Sequence, residues 1–222
     1  MAKTVTLEGL RGRAKTRADM VKSKFVSDAE WNDFINRSLE RFYDMLVAAD
    51  QDYYTVDETI STNGSASEFD LAADFYKLVS VDYMVGGQRR PMKKYTRAER
   101  GARQGNPNAL MYRLKRNKLS FNSTPSAQTI YYGYVPAFED LVDDADEFDG
   151  VNGWDELVVL DAARKALVKA EKSTAEIEKE FAVYYKEIEA KSKTRDIGAP
   201  ERVQDVSGGL RSSAYDLQDE DW

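Results

Sequence analysis

The sequence predicts an α+β fold: a mainly α-helical bundle of about four helices, with a small antiparallel β-sheet inserted into it and an extended C-terminal tail. Three observations predict it. Apolar residues recur at helical spacing near both ends of the 222-residue chain, over residues 7–49 and again over residues 154–194. From Tyr53 to Pro136 the period changes to two, in β-branched and aromatic runs punctuated by Asn and Gly. From Ile197 onward, Gly198, Pro200, Gly208, Gly209 and scattered serines oppose any helix. The expected division is therefore residues 1–53 and 137–195 for the helical bundle, 54–136 for the β insertion and 196–222 for the tail.

In chain order, Leu7, Leu10, Ala14, Ala18 and Val21 place a first helix over residues 7–20, with a basic polar face. That face meets solvent or an acidic neighbour; nucleic acid is the weaker option, because no aromatic residue is interleaved and no recognition motif is present. A second helix starts at the capping box Ser27/Glu30, with Val26 and Trp31 placed as a hydrophobic staple. Its stripe of Trp31, Phe34, Ile35, Leu39, Phe42, Met45, Leu46 and Ala49 marks a long core helix.

Strands are expected at residues 55–60 and 76–85, with a turn at 69–74 between them. Gly86-Gly87 forms a tight turn, and Arg89–Lys94 returns beside the preceding strand. A short surface helix is expected over residues 96–104, then a hairpin of 110–115 and 119–122, then a strand at 129–135.

The segment Val142–Leu167 organises the chain. It opens with Asp143, Asp144, Asp146, Glu147 and Asp149 and turns through Gly150, Asn152 and Gly153. It then becomes a helix, starting at Trp154, that is apolar on more than one side, as a central bundle helix must be. Trp154 is expected to be largely buried against the second helix. A second capping box, Ser173/Glu176, starts the last helix, whose stripe is Ile177, Phe181, Tyr184 and Ile188.

Composition excludes several chemistries. The chain has no cysteine and no histidine, which removes disulfides, thiol nucleophiles, common zinc sites and imidazole acid–base catalysis. No phosphate-cradling loop, dinucleotide fingerprint or nucleophile elbow is present. The acidic run fails the EF-hand template, since Phe148 takes the fifth position and Asp149 the obligatory glycine. No catalytic constellation, metal site or cofactor is expected. No run approaches the roughly 20 apolar residues that span a bilayer, and no signal-peptide core opens the sequence, so a soluble product made inside the cell is expected.

The net charge of −7 hides a segregation. Residues 1–24 and 89–118 are strongly basic, whereas residues 139–156 are purely acidic. Such patches suit either complementary contact between surfaces, including between copies of one chain, or solvated faces with no partner. The polar tail carries apolar residues at Leu210, Tyr215, Leu217 and Trp222, the composition either of a segment that orders on a partner or of an unanchored, disordered terminus.

The succession LRGRAKTRADMVKSKFVSDAEWNDFINRSLERFYDML, FDLAADFYKLVSVDYM, MYRLKRNKLSF, YGYVPAFEDLVDDADEFDGVNGWDELVVLDAARKAL and RDIGAPERVQDV resembles the head-to-tail adaptor, or connector, proteins of tailed bacteriophages. The resemblance covers residues 7–206 and implies a non-enzymatic virion protein at the head–tail junction, made in the host cytoplasm. It implies a ring, typically of about twelve copies, on the DNA-exit side of the portal. The ring would offer a platform to tail, nozzle or stopper proteins and leave a channel through which DNA passes without specific binding. In that setting Leu210, Tyr215, Leu217 and Trp222 become the portal-docking residues. Asp143, Asp144 and Asp146 become the acidic side of the inter-subunit joint, and Arg89, Arg90, Lys93 and Lys94 its basic side. The alternative is a DNA-binding or packaging accessory protein that uses the basic patches.

Overall fold

A computed structural model of the chain describes residues 4–50, 52–99 and 110–193. Among them the order is β1 (Thr4–Thr6), α1 (Leu7–Arg17), α2 (Asp28–Ala49), β2 (Val56–Thr62), β3 (Glu68–Asp70), β4 (Phe75–Val85), β5 (Gln88–Pro91), β6 (Lys93–Lys94), β7 (Met111–Lys115), β8 (Lys118–Phe121), β9 (Gln128–Pro136), β10 (Glu147–Asp149), α3 (Glu156–Lys169) and α4 (Ala175–Ser192).

The α+β class is as expected, but the molecule is not mainly a helical bundle. The residues between α2 and α3 build two four-stranded sheets, ordered β2-β9-β4-β5 and β3-β8-β7-β6. A third, two-stranded sheet pairs β1 with β10. All pairings are antiparallel except β6 with β7, which run parallel. The expected single small sheet is two because the chain leaves one sheet at Pro91 and enters the other at Lys93. Met92, buried between them, carries the crossing into the shared core. The turn expected at 69–74 also gives way to β3, which pairs with β8 through Glu68, Phe69 and Asp70. The surface helix expected at 96–104 lies partly outside the described residues; Thr96–Glu99 forms a turn closed by the Glu99 N–H on the Thr96 carbonyl.

Local rules explain the helix starts. At α2, Ser27 and Glu30 form the reciprocal capping box, and Val26 and Trp31 are both buried beneath it. The expected box at Ser173 and Glu176 does not form. There α4 begins one residue later, with Thr174 at the N-cap position but making no side-chain cap hydrogen bond; its hydroxyl donates to the Glu178 side chain at 2.8 Å instead. Gly86 and Gly87 both have positive φ, 58° and 82°, the backbone that a two-residue hairpin between β4 and β5 requires.

Two main cores result. In the helical core, α3 is buried nearly all round, packing against α1, α2 and α4 as a central helix should. Trp31 is fully buried there, whereas Trp154 lies in the turn before α3 and is only partly buried. The second core lies between the sheets: Ile60, Val81, Ile130 and Tyr132 from one meet Leu119 and Phe121 from the other. Tyr43 and Val47 on α2 meet Val135 on β9 and join the helices to the sheet. The Tyr43 hydroxyl donates to the Pro136 carbonyl at 2.8 Å, and burial pushes its pKa up to about 12.

Candidate interaction surfaces

The acidic loop after Leu141 is built into the helical half. Two of its carbonyls accept the first N–H groups of α1: Leu7 donates to Asp146 O at 3.0 Å and Glu8 to Asp144 O at 3.2 Å. These are donors that a helix start leaves without partners. The Arg11 guanidinium grips the Asp144 carboxylate bidentately, at 2.8 and 3.0 Å, and also donates to Asn32. That hydrogen bond holds Asp144 below its ordinary pKa. The Asp146 carboxylate accepts the backbone N–H groups of Val142 and Asp143 at 2.7 and 2.8 Å, which holds it below its ordinary value too. Asp143 itself is exposed.

The rest of the α1 basic face is likewise matched within the chain. Arg13 donates to Asp155 and Glu156, Arg17 to Glu156 at 2.7 Å and Glu180 at 3.2 Å, and Lys15 pairs with Asp28. Asp155 is fully buried, and Gly150 lies so close that a Cβ there would stand 2.9 Å from Asp155 Oδ1. Only glycine lets the turn fold over this carboxylate. The segregation of charge along the sequence therefore closes on itself at this end: base at 11–17 meets acid at 144–156.

The other basic stretch is different. Arg89 stacks its guanidinium over Tyr131, 4.1 Å from the ring centre, and reaches Asp57 at 3.4 Å. Arg90, Lys93 and Lys94 are exposed on β5 and β6 and have no ion-pair partner among the described residues. The opposite ends of the same two sheets are acidic. No Lys or Arg occurs between Arg41 and Lys77, a stretch that carries Asp57 and Glu58 on β2 and Glu68 and Asp70 on β3. That run without base marks the acidic ends in the sequence. Glu68 and Asp70 have partners across their own sheet, in Lys115 at 2.7 Å and Lys118 at 2.9 Å.

A polar cluster between α2 and α3 also went unnoticed. Asp161 is 3% exposed, in the middle of an otherwise apolar helix. Arg164 and Lys165, three and four residues on, donate to it at 2.6 and 2.9 Å, and Ser38 Oγ lies 2.9 Å away. Burial opposes its charge, yet the Lys165, Ser38 and Arg164 contacts outweigh that and hold its pKa below the ordinary value. An Asp followed by Arg and Lys at helical spacing was the legible sign. A lysine beside a serine hydroxyl can activate a nucleophile. Here Ser38 is 3% exposed and sits 2.7 Å from the Phe34 carbonyl, so the cluster ties two helices together. A cleft of about 430 Å³ adjoins it, lined by Phe42, Met45, Leu157, Phe181 and Tyr185 together with polar residues.

The docking residues Leu210, Tyr215, Leu217 and Trp222 lie outside the described residues. Among the described residues no helix is long and apolar enough to cross a membrane.

Charged side chains stand exposed at the ends of both four-stranded sheets. The family model of the SU10 adaptor protein matches residues 5–210, and the chain belongs to that family. The resemblance to phage head-to-tail adaptors is thereby borne out, with a structural adaptor role. No curated protein matches the chain.

Proposed function

We propose that the chain is a non-enzymatic virion protein that assembles as a closed ring, of about twelve copies, on the DNA-exit face of the portal. There it links the portal to tail, nozzle or stopper proteins and leaves a central passage for DNA. The observation that carries this reading is the adaptor-family match over residues 5–210. Arg90, Lys93 and Lys94, exposed on β5 and β6 and without an ion-pair partner among the described residues, support it, since a ring needs two different flanks that complement each other at every joint. Residues 207–222, with Leu210, Tyr215, Leu217 and Trp222, are the portal-docking segment in this reading.

The test mixes the purified chain with the portal of the same phage and follows sedimentation and native mass. The expected result is a complex of one portal with a full ring of chains. A chain that stays monomeric beside an intact portal, at low salt, would contradict the reading. Exposed cations also allow a DNA-binding accessory role. Retardation of duplex DNA by the chain alone, falling steeply with salt, would support that role instead.

A further inference from the structure

We propose that neighbouring copies join through the charged ends of their β-sheets, the acidic β2–β3 strands of one copy facing the basic β5–β6 strands of the next. This rests on the ring reading above and names the joint that closes the ring.

The sheet order carries the argument. In the sheet β2-β9-β4-β5, the first strand bears Asp57 and Glu58 and the last bears Arg89 and Arg90. In the sheet β3-β8-β7-β6, the first strand bears Glu68 and Asp70 and the last bears Lys93 and Lys94. Each sheet thus ends in acid on one side and base on the other. In both, the terminal strands follow each other directly in the chain, β2 before β3 and β5 before β6. Strands at a sheet end present unpaired backbone groups and must be kept from pairing at random. Like charge forbids β2 against β2 or β5 against β5, but leaves β2 against β5 attractive, so only a head-to-tail contact is favoured. Glu58, Arg90, Lys93 and Lys94 have no oppositely charged partner among the described residues, while Asp57, Glu68 and Asp70 hold only exposed pairs, with Arg89, Lys115 and Lys118, that a neighbour's cations can replace. The acidic loop is a poorer candidate, because the Arg11 that holds Asp144 is only 12% exposed and Asp146 is tied to backbone N–H groups of its own loop.

The chain has no cysteine, so single substitutions report contacts cleanly. Copies carrying Glu58→Cys and copies carrying Arg90→Cys, each shown by circular dichroism to be folded, are mixed, assembled on the portal and treated with a short bismaleimide. The joint predicts covalent dimers from the mixture and none from either variant alone, with dimer yield falling as salt rises during assembly. Dimers from Asp143→Cys with Arg90→Cys, and none from Glu58→Cys with Arg90→Cys, would overturn the edge joint while the ring stands. Dimers from Glu58→Cys alone would overturn it too, since the contact would then join like surfaces. If no ring assembles on the portal even with the unsubstituted chain, the ring reading fails first and the joint with it.

Discussion

Trp31 and Trp154 sit in similar sequence settings, each near the start of a core helix, yet only Trp31 is fully buried. The difference is position: Trp31 is already inside α2, whereas the turn after Gly150 holds Trp154 at the edge of the core. Trp31→Ala should cost about 3–5 kcal/mol in urea unfolding, the range for deleting a large buried aromatic. Trp154→Ala should cost less, about 1–2 kcal/mol. An equal loss at both positions would contradict this assignment. Asp161→Asn should destabilise the fold by about 2–3 kcal/mol, because charge-assisted hydrogen bonds to Arg164 and Lys165 are weakened in a buried place. A change within experimental error would show the cluster to be idle. Acid should act on carboxylates of the same kind. Glu30 falls from 4.5 to about 2, because Lys169 and then the Ser27 backbone and hydroxyl donate to it. Its folded pKa is below its unfolded one, so its stabilising effect is complete above pH 4.5 and is lost as pH falls towards 2. Urea midpoints should drop across that window, and less so in Glu30→Gln.

At the scale of elements, legibility followed how local the determining physics is. The α2 start was readable because Ser27, Glu30, Val26 and Trp31 act within five residues of one another. The Gly86-Gly87 hairpin was readable for the same reason. The α4 box did not form although its residues fit: α4 starts one residue later, and the Thr174 at its N-cap position makes no side-chain cap hydrogen bond, its hydroxyl donating to Glu178 instead. Strand pairing was not readable. Period two identifies β4 and β9, but nothing in the short runs at Lys93 or Glu68 says which sheet they join, since that depends on partners far along the chain. The roles of Asp144 and Asp146 were hidden likewise, since Arg11 lies 133 residues from Asp144. The consequence can be measured. Reversing Asp143, Asp144 and Asp146 together to lysine was the natural probe of an inter-subunit acidic patch. It should instead lower the melting temperature of the isolated chain, by removing the Arg11 pair and the loop hydrogen bonds that close on α1. An unchanged melting curve would mean that these internal contacts contribute nothing and would return the loop to the surface of the ring.

For the whole molecule, the sequence showed helices at the ends, strands between them and segregated charge. It did not show that the base at 11–17 closes on acid within the chain, whereas Arg90, Lys93 and Lys94 at the sheet ends stay unpaired among the described residues. The adaptor family match covers nearly all of the described fold and reaches residue 210, leaving most of the tail to be tested directly. Deleting residues 207–222 should weaken binding to the portal while leaving helical circular dichroism and melting nearly unchanged. Undiminished affinity in the truncated chain would remove the docking role of Tyr215, Leu217 and Trp222. The central claim, a ring between portal and tail, is tested most directly by cryo-electron microscopy of the neck of the intact particle. The account predicts a closed ring on the DNA-exit face of the portal, into which α1–α4 and both sheets fit. The β2–β3 strands of each copy should face β5–β6 of the next. A portal whose DNA-exit face is filled by other chains, with this one absent or elsewhere in the particle, would contradict it.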